Sequence, residues 1–456
     1  MQIPVEKNKE YIVEIMDYGA EGEGIAKIEN YTIFVPGAIK GEKVRILIVK
    51  VLTSYAYGKI LEVLEKGEKR QQSDCDTFGR CGGCNLRHVD YEETLEIKQQ
   101  KVQNLVNKTL KQKVQVEKTL GMGFPYYYRN KAQYPFGINK DGIPVTGIYA
   151  KRSHQIIPIK ECKIQSLLSQ KIAQFILEKI KEYGISSYDE TKQKGTLRHA
   201  VVRIGKNSGE VMCTLVVNQE EIPKEEKLVQ ALRKNFPEIT TIVKNVNHKN
   251  TNVIMGQKNI TLYGDGYILD GLGEYTFKIS PLSFYQVNPV QAEALYYTAM
   301  EMAEITKKKG KVAFDLYCGI GTISLFLSPY FEKVYGIEIV PEAIKDAKEN
   351  AILNQVTNTE FLVGDVEFAL EELIEKQEIK ADLVLVDPPR KGLDDKTITN
   401  LSKIQAEKIV YISCNPATMV RDLAKLEEKY RIKRMKPVDM FPYTSHVECC
   451  SVLELK

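Results

Sequence analysis

Three segments late in the chain carry side chains able to run a covalent reaction. In KIVYISCNPATMVRDL (408–423) an apolar run ends at Ser413, and Cys414 follows in a turn continued by Asn415-Pro416. In ADLVLVDPPRKG (381–392) Asp387 ends an apolar strand, and two prolines after it fix the backbone. In FPYTSHVECCSVLEL (441–455) Glu448 stands just before the last strand. A thiol and a carboxylate at strand ends can serve as nucleophile and proton acceptor. A buried strand cysteine is the ordinary alternative for Cys414, but its place in a turn argues for exposure. Cys213, Cys318, Cys449 and Cys450 read as core residues.

A second group reads as a nucleoside site. FDLYCGIGTISLFL (314–327) runs from a strand through a Gly-containing turn into a helix, with Gly319 and Gly321 allowing close backbone approach. Glu338, seventeen residues past Gly321, ends the next strand, where an acid can hold ribose hydroxyls. Asp365 ends the third strand (FLVGD) and could accept from an adenine amino group. A dinucleotide fold would want G-x-G-x-x-G and a phosphate loop a Lys-Ser/Thr ending, and both are absent. S-adenosylmethionine, which has no diphosphate, fits better. A thiol and a base beside a methyl donor then suggest methylation at C5 of uracil. Thiolate addition at C6 makes C5 nucleophilic, and a base must later remove the C5 proton so that the thiolate can leave. Amino-group methyltransferases also use D-P-P but place an aromatic residue next, where this chain has Arg390.

A third group is Cys75, Cys81 and Cys84, spaced C-x5-C-x2-C in DCDTFGRCGGCNLRH, with Cys162 in PIKECKIQ as the candidate fourth thiolate. Four thiolates suit zinc or an iron–sulfur cluster, and spacing alone does not choose. Radical S-adenosylmethionine enzymes use a different spacing, C-x3-C-x2-C, and need no separate methyl-donor site.

These residues need elements to position them. Residues 1–64 read as short strands (YIVEIM, IENYTIFVP, EKVRILIVKVL, YAYGKILEVL), the size of an OB-like β-barrel. A loop-rich stretch follows, then a helix in YEETLEIKQQKVQNLVNKTL with Leu95, Ile97, Val102, Leu105 and Val106 on one stripe. Residues 120–280 mix strand and helix. From 281 strands alternate with helices, which predicts a Rossmann-like α/β domain with a mostly parallel sheet.

The 456 residues are 43% hydrophobic and 27% charged, which excludes a mostly disordered chain. No run approaches the roughly 18 apolar residues of a membrane span, so no membrane role is expected. The N-terminus lacks the layout of a secretory signal, so a cytoplasmic protein is expected. Net charge is only +4, but between Lys101 and Lys160 eleven Lys/Arg stand against two acids. That local excess suggests a face for a polyanion, with a solvated helix face as the plain alternative. YYYRNKAQYPF (126–136) sets Arg129 and Lys131 among four tyrosines, suiting RNA stacking and phosphate contact or, equally, a strand with a solvated basic face.

SFYQVNPVQ, DLYCGIGT, DPPRKGL, SCNPATMVRD and FPYTSHVE, in that order, closely resemble the RNA uracil-5 methyltransferases, and within them the RumA/RlmD-type branch acting on 23S ribosomal RNA. The resemblance covers essentially the whole chain. It implies an N-terminal TRAM domain over 1–64, a central cluster-bearing and RNA-binding domain over 65–280, and a methyltransferase domain over 281–456. The helix at 93–110 is a candidate to pack on the last of these. The resemblance also implies that Gln286, Tyr317, Glu338, Asp365 and Asp387 contact S-adenosyl-L-methionine, that Cys414 is the nucleophile and that Glu448 is the base. It further implies a [4Fe-4S] cluster on Cys75, Cys81, Cys84 and Cys162, for which we expect a structural role, and a uridine flipped out of the RNA. No obligatory protein partner is evident. A tRNA uracil-5 methyltransferase and a catalytically inactive RNA-binding assembly factor are the alternatives.

Overall fold

Alternation of buried and exposed residues builds the N-terminal unit of the computed structural model, which describes residues 3–151, 153–305, 310–375 and 379–456. Its strands are β1 (Glu10–Glu14), β2 (Asp17–Tyr18), β3 (Gly24–Ile28), β4 (Tyr31–Val35), β5 (Lys43–Val51) and β6 (Tyr55–Glu65), in sheet order β1-β5-β6-β4-β3-β2. Val44, Ile46 and Ile48 alternate inward along β5 against Ile33, Val35 and Ala56. The Met16 N–H donates to the Ile25 carbonyl at 2.8 Å and draws the first strand pair toward β3. The expected continuous strand IENYTIFVP is broken: Glu29 and Asn30 both take positive φ (48° and 66°) and form a two-residue hairpin turn between β3 and β4.

Helix α1 (Tyr91–Thr109) starts at Asp90, whose side chain accepts from the Glu93 N–H at 3.4 Å. Its Val102 and Val106 share an apolar cluster with Phe314, Val384 and Tyr411 of the C-terminal sheet. The middle of the chain forms β7 (Lys131–Ile138), β8 (Pro144–Thr146), the ribbon β9 (Ile148–Tyr149) and β10 (Ile156–Ile157), and helix α2 (Leu167–Tyr183). It continues with β11 (Leu197–Ile204), β12 (Val211–Val217), α3 (Glu225–Asn235), β13 (Ile239–Val246) and β14 (Lys258–Tyr263). Its six-stranded sheet runs β14-β13-β12-β11-β7-β8, with Ile172, Ile176 and Ile180 of α2 in its core. The hairpin β15 (Ile268–Leu272) and β16 (Tyr275–Ile279) buries Phe277 and Ile279 in the C-terminal core. Apolar packing from α1 and from this hairpin therefore crosses the expected boundary near 280.

Helix α4 (Pro289–Met302) leads into the C-terminal sheet. Its elements are β17 (Gly310–Leu316), α5 (Thr322–Leu327), β18 (Phe331–Glu338), α6 (Pro341–Leu353), β19 (Thr359–Val363), α7 (Val366–Glu375), β20 (Leu383–Val386), α8 (Asp395–Ile404), β21 (Lys408–Ser413), α9 (Pro416–Leu426), β22 (Tyr430–Val438) and β23 (Glu448–Leu455). The order is β19-β18-β17-β20-β21-β23-β22, with the first five parallel and β23 antiparallel to both neighbours. Neighbouring residues on each strand enter opposite cores: Ala313 and Leu383 on one face, Phe314 and Val384 on the other. A parallel sheet covered on both faces accounts for the unbroken apolar runs. No helix among the described residues is long and apolar enough to cross a membrane.

Candidate active site and cysteine cavity

Register brings the chemistry to one edge. Leu316 lies opposite Ile337 and Val386, Glu338 opposite Val363, and Val386 opposite Tyr411. Tyr317, Glu338, Asp365, Asp387 and Cys414 therefore all fall at or just past the C-terminal ends of parallel strands, the edge where open α/β sheets bind ligands. Strand β23 runs the other way, so its first residue lies at this edge too. Ser413 pairs with Cys449, which sets Glu448 beside Cys414.

Cys414 is half-buried, and its thiol is pushed up to about 11 by burial and by Glu448 and Asp387, against the opposing pull of the Arg390 guanidinium beside it. Glu448 is buried, and burial followed by the Asp387 charge raises its carboxyl, while its Oε2 has no hydrogen-bond partner. Burial raises Asp387 as well. The edge thus holds a thiol and two carboxyls that resist ionising together, plus one buried acceptor oxygen that a substrate could engage.

The Gly turn is shaped by backbone conformation. Tyr317, Gly319 and Gly321 all take positive φ (68°, 55° and 81°), which leaves space at Gly319, where an added Cβ would meet nothing within 4 Å. Glu338 Oε2 accepts from the Gly319 N–H at 3.3 Å and Oε1 from the Val340 N–H at 3.0 Å, so the turn and the acid form one unit. Asp365 is exposed and heads α7, accepting from the Glu367 N–H at 3.2 Å. Tyr317 is half-buried with its hydroxyl beside Thr397. Gln286 is buried on the strap into α4, and its carbonyl accepts from Asn130 Nδ2 at 3.0 Å. Asp315, beneath the turn, accepts from the Ser324 hydroxyl at 2.5 Å, and burial raises its carboxyl to about 7.

Cys75, Cys81, Cys84 and Cys162 line one cavity of about 320 Å3. The Gly83 N–H donates to Cys81 Sγ at 3.2 Å, and Gln170 clamps the Cys162 backbone, accepting from its N–H at 2.6 Å and donating to its carbonyl at 3.0 Å. Burial and then the other cysteines push Cys84 up to about 12, and Cys81 and Cys162 are raised by the same causes. Thiols raised in this way ionise together only when a cation stands among them. Among the described residues no three His, Cys, Asp or Glu side chains form a group that would hold a metal ion. Cys213, Cys318, Cys449 and Cys450 are buried as expected.

The family described as tRNA (Uracil-5-)-methyltransferase matches residues 90–456, and the TRAM domain matches residues 4–61. The chain belongs to the tRNA (uracil-5-)-methyltransferase family. An uncharacterized RNA methyltransferase of Halalkalibacterium halodurans is 45% identical over 100% of this chain and 99% of its own length. One from Clostridium tetani is 47% identical over 98% and 96%. Among solved structures, the Pyrococcus abyssi tRNA (uracil-54, C5)-methyltransferase in complex with S-adenosyl-L-homocysteine has a TM-score of 0.78 at 26% identity, covering 97% of this chain and 100% of its own.

Two features of this family member escaped sequence reasoning. Arg390 served only to argue against a rival chemistry, yet it lies beside the Cys414 sulfur. Lys98 and Asp439, both fully buried, form an ion pair in which Asp439 also accepts from the Tyr91 hydroxyl at 2.8 Å and Lys98 donates to the Phe441 carbonyl at 3.0 Å. The signal was a lysine one turn after Leu95 and one before Val102, on the apolar stripe of α1. The basic stretch from Lys101 to Lys160 is not one solvated face: Lys101 turns inward to the Ser445 carbonyl at 3.0 Å, and Arg129 and Lys131 line the cysteine cavity. Of the four tyrosines, Tyr128 and Tyr134 are core residues bonded to the Pro442 carbonyl (3.2 Å) and to Ser169 (2.8 Å), leaving Tyr126 and Tyr127 for any stacking role.

Proposed function

We propose that this protein transfers the methyl group of S-adenosylmethionine to C5 of a uridine in 23S ribosomal RNA, through a covalent adduct between Cys414 and uracil C6. The observation that carries this reading is the pairing at the sheet edge of a half-exposed thiol with a buried carboxyl whose Oε2 is unpartnered. The Cys414 thiolate adds to C6, and the electron pair moves to C5 and O4 as an enolate. S-adenosylmethionine supplies the electrophilic methyl group that C5 takes. Glu448 removes the C5 proton, the C5–C6 double bond re-forms, and the thiolate is expelled. Arg390 favours both the thiolate and the Glu448 carboxylate. Gln286, Tyr317, Glu338, Asp365 and Asp387 are assigned to the cofactor, with Glu338 at the ribose and Asp365 at the adenine. Arg129 and Lys131 are assigned to RNA.

Cys75, Cys81, Cys84 and Cys162 are assigned a structural [4Fe-4S] cluster, supported by their shared cavity and the N–H donor to Cys81. We divide the chain into barrel, central and methyltransferase domains near 64 and 280. Its nine free cysteines suit the reducing cytoplasm. The resemblance of the motifs to the RumA/RlmD-type branch supports ribosomal RNA. The tRNA reading is favoured by the Pyrococcus abyssi neighbour. Labelled methyl transfer to unmodified 23S ribosomal RNA and to unmodified tRNA decides: 5-methyluridine in the former alone is expected. Product in tRNA alone moves the assignment, and product in neither overturns it.

A further inference from the structure

The cysteine cavity is also lined by two cations, Lys131 and Arg203. Lys131 on β7 and Arg203 on β11 are direct cross-strand partners. Arg203 is 2% exposed, donates through Nη2 to the Ser283 carbonyl at 2.9 Å, and has no partner for Nε or Nη1. Among the described residues no carboxylate pairs with either side chain, and both line the cavity with Gln133, Ser283 and Tyr285. Burial and then the facing Arg203 charge lower the Lys131 ammonium to about 8, and burial lowers Arg203 to about 10. Like charges directly opposite on neighbouring strands destabilise a sheet, and unpaired buried cations cost more still. The arrangement is what an anion site looks like without its anion.

Position says which anion. The pair sits on the central sheet, in a cavity whose lining does not include the Gly turn, Glu338 or Asp365. Asn130 ties the ends of its strands to the Gln286 strap, donating from its N–H to the Val287 carbonyl (2.8 Å) and accepting from the Ile204 N–H (2.8 Å). Arg87 and Arg129 face the cysteines, lowering Cys84 and Cys162, whereas Lys131 and Arg203 face each other.

We propose that Lys131 and Arg203 form a pocket for one backbone phosphodiester of the bound RNA. Arg203 Nε and Nη1 each offer an unpartnered N–H from a different edge of the guanidinium, Lys131 adds a point charge from the opposite strand, and the phosphate neutralises both. The proposal rests on the RNA-methyltransferase reading, and its test separates the two.

Full-length protein, purified anaerobically, is compared with Lys131→Met and with the charge-conserving Lys131→Arg. Without ligand, Lys131→Met melts higher than wild type, because a repulsion is gone; a merely structural lysine would give a lower melting point. Inorganic phosphate raises the wild-type melting temperature and not that of Lys131→Met. With transcribed 23S ribosomal RNA, Lys131→Met weakens binding at least roughly tenfold and lowers the salt slope by about one, and Lys131→Arg restores both. S-adenosylhomocysteine affinity stays unchanged in all three. Equal phosphate shifts in wild type and Lys131→Met would overturn the pocket. A lost phosphate shift with an unaltered RNA salt slope would make it a site for a free anion and overturn the RNA assignment. A tenfold loss of S-adenosylhomocysteine affinity would hand the pair to the cofactor carboxylate. Methyl transfer by the wild type to neither RNA, with the phosphate shift intact, would sink the functional reading while leaving the anion site standing.

Discussion

Cys414 and Cys84 are both thiols held above their ordinary range by burial, at about 11 and about 12, yet their surroundings suit opposite ends. Around Cys414 the next influences are two carboxyls, with an arginine pulling the other way. Around Cys84 they are other cysteines, again with an arginine, Arg87, pulling the other way. A lone raised thiol beside two carboxyls suits the proposed nucleophile. Four thiols around one cavity, three of them raised, suit the proposed cluster. The two regions also touch: the Asn85 and Leu86 N–H groups donate to the Tyr443 carbonyl (3.2 and 3.0 Å), and Asn85 Oδ1 accepts from the Ser445 N–H at 2.9 Å. The loop that leads to Glu448 therefore leans on the residues that follow Cys84. Arg87 reinforces this by lying 4.5 Å from the Tyr443 ring centre.

The comparison breaks first at Cys414. Cys414→Ala should lower methyl transfer more than roughly 10^4-fold while leaving the affinity for S-adenosylhomocysteine intact. Residual turnover in a filter-binding assay would move the nucleophile elsewhere. Glu448→Gln should slow turnover by roughly 10^2–10^4-fold and let protein–RNA adduct accumulate on denaturing gels. It also sharpens the electrostatic argument. Alkylation of Cys414 should rise about tenfold per pH unit between pH 7 and 10 in wild type. Because the Glu448 charge is one of the influences holding the thiol up, the Gln variant should alkylate at lower pH. An unshifted or higher profile would remove Glu448 from the sulfur's surroundings.

Cys84→Ser should abolish iron and sulfide binding and destabilise the central region, since structural metal sites are worth about 10 kcal/mol or more. It should also lower kcat through the Asn85–Tyr443 contacts. Cys213→Ser, buried away from the cavity, should leave metal content unchanged, and equal metal content in both variants would refute the cluster assignment. The smallest effect belongs to Lys98→Met, which strands Asp439 without its ammonium. About 3–5 kcal/mol of stability should be lost, read from urea denaturation. A loss below about 1 kcal/mol would mean that the buried pair does not hold α1 to the Glu448 loop.

Much of the arrangement at this sheet edge was legible because period and punctuation agree there. Apolar runs ending in Asp387, Cys414 and Glu338 mark parallel strands, and strand ends are where side chains reach ligands. The Glu29–Asn30 turn was missed because neither residue is glycine, although both adopt its conformation. The inward turn of Lys101 and Lys131 was hidden for a different reason. Charge counts say nothing of direction, and only the sheet register sets Lys131 against Arg203. Arg390 was visible as a residue but not as a neighbour of Cys414, since the contact joins the loops after two different strands.

The central claim is that Cys414 attacks uracil C6. The most direct test is mass spectrometry of the protein incubated with S-adenosylmethionine and 23S ribosomal RNA carrying 5-fluorouridine. Fluorine at C5 cannot leave as a proton, so the account predicts a stalled, methylated adduct mapped to Cys414. Methyl transfer to the unsubstituted RNA with no such adduct, or an adduct on another residue, would contradict it.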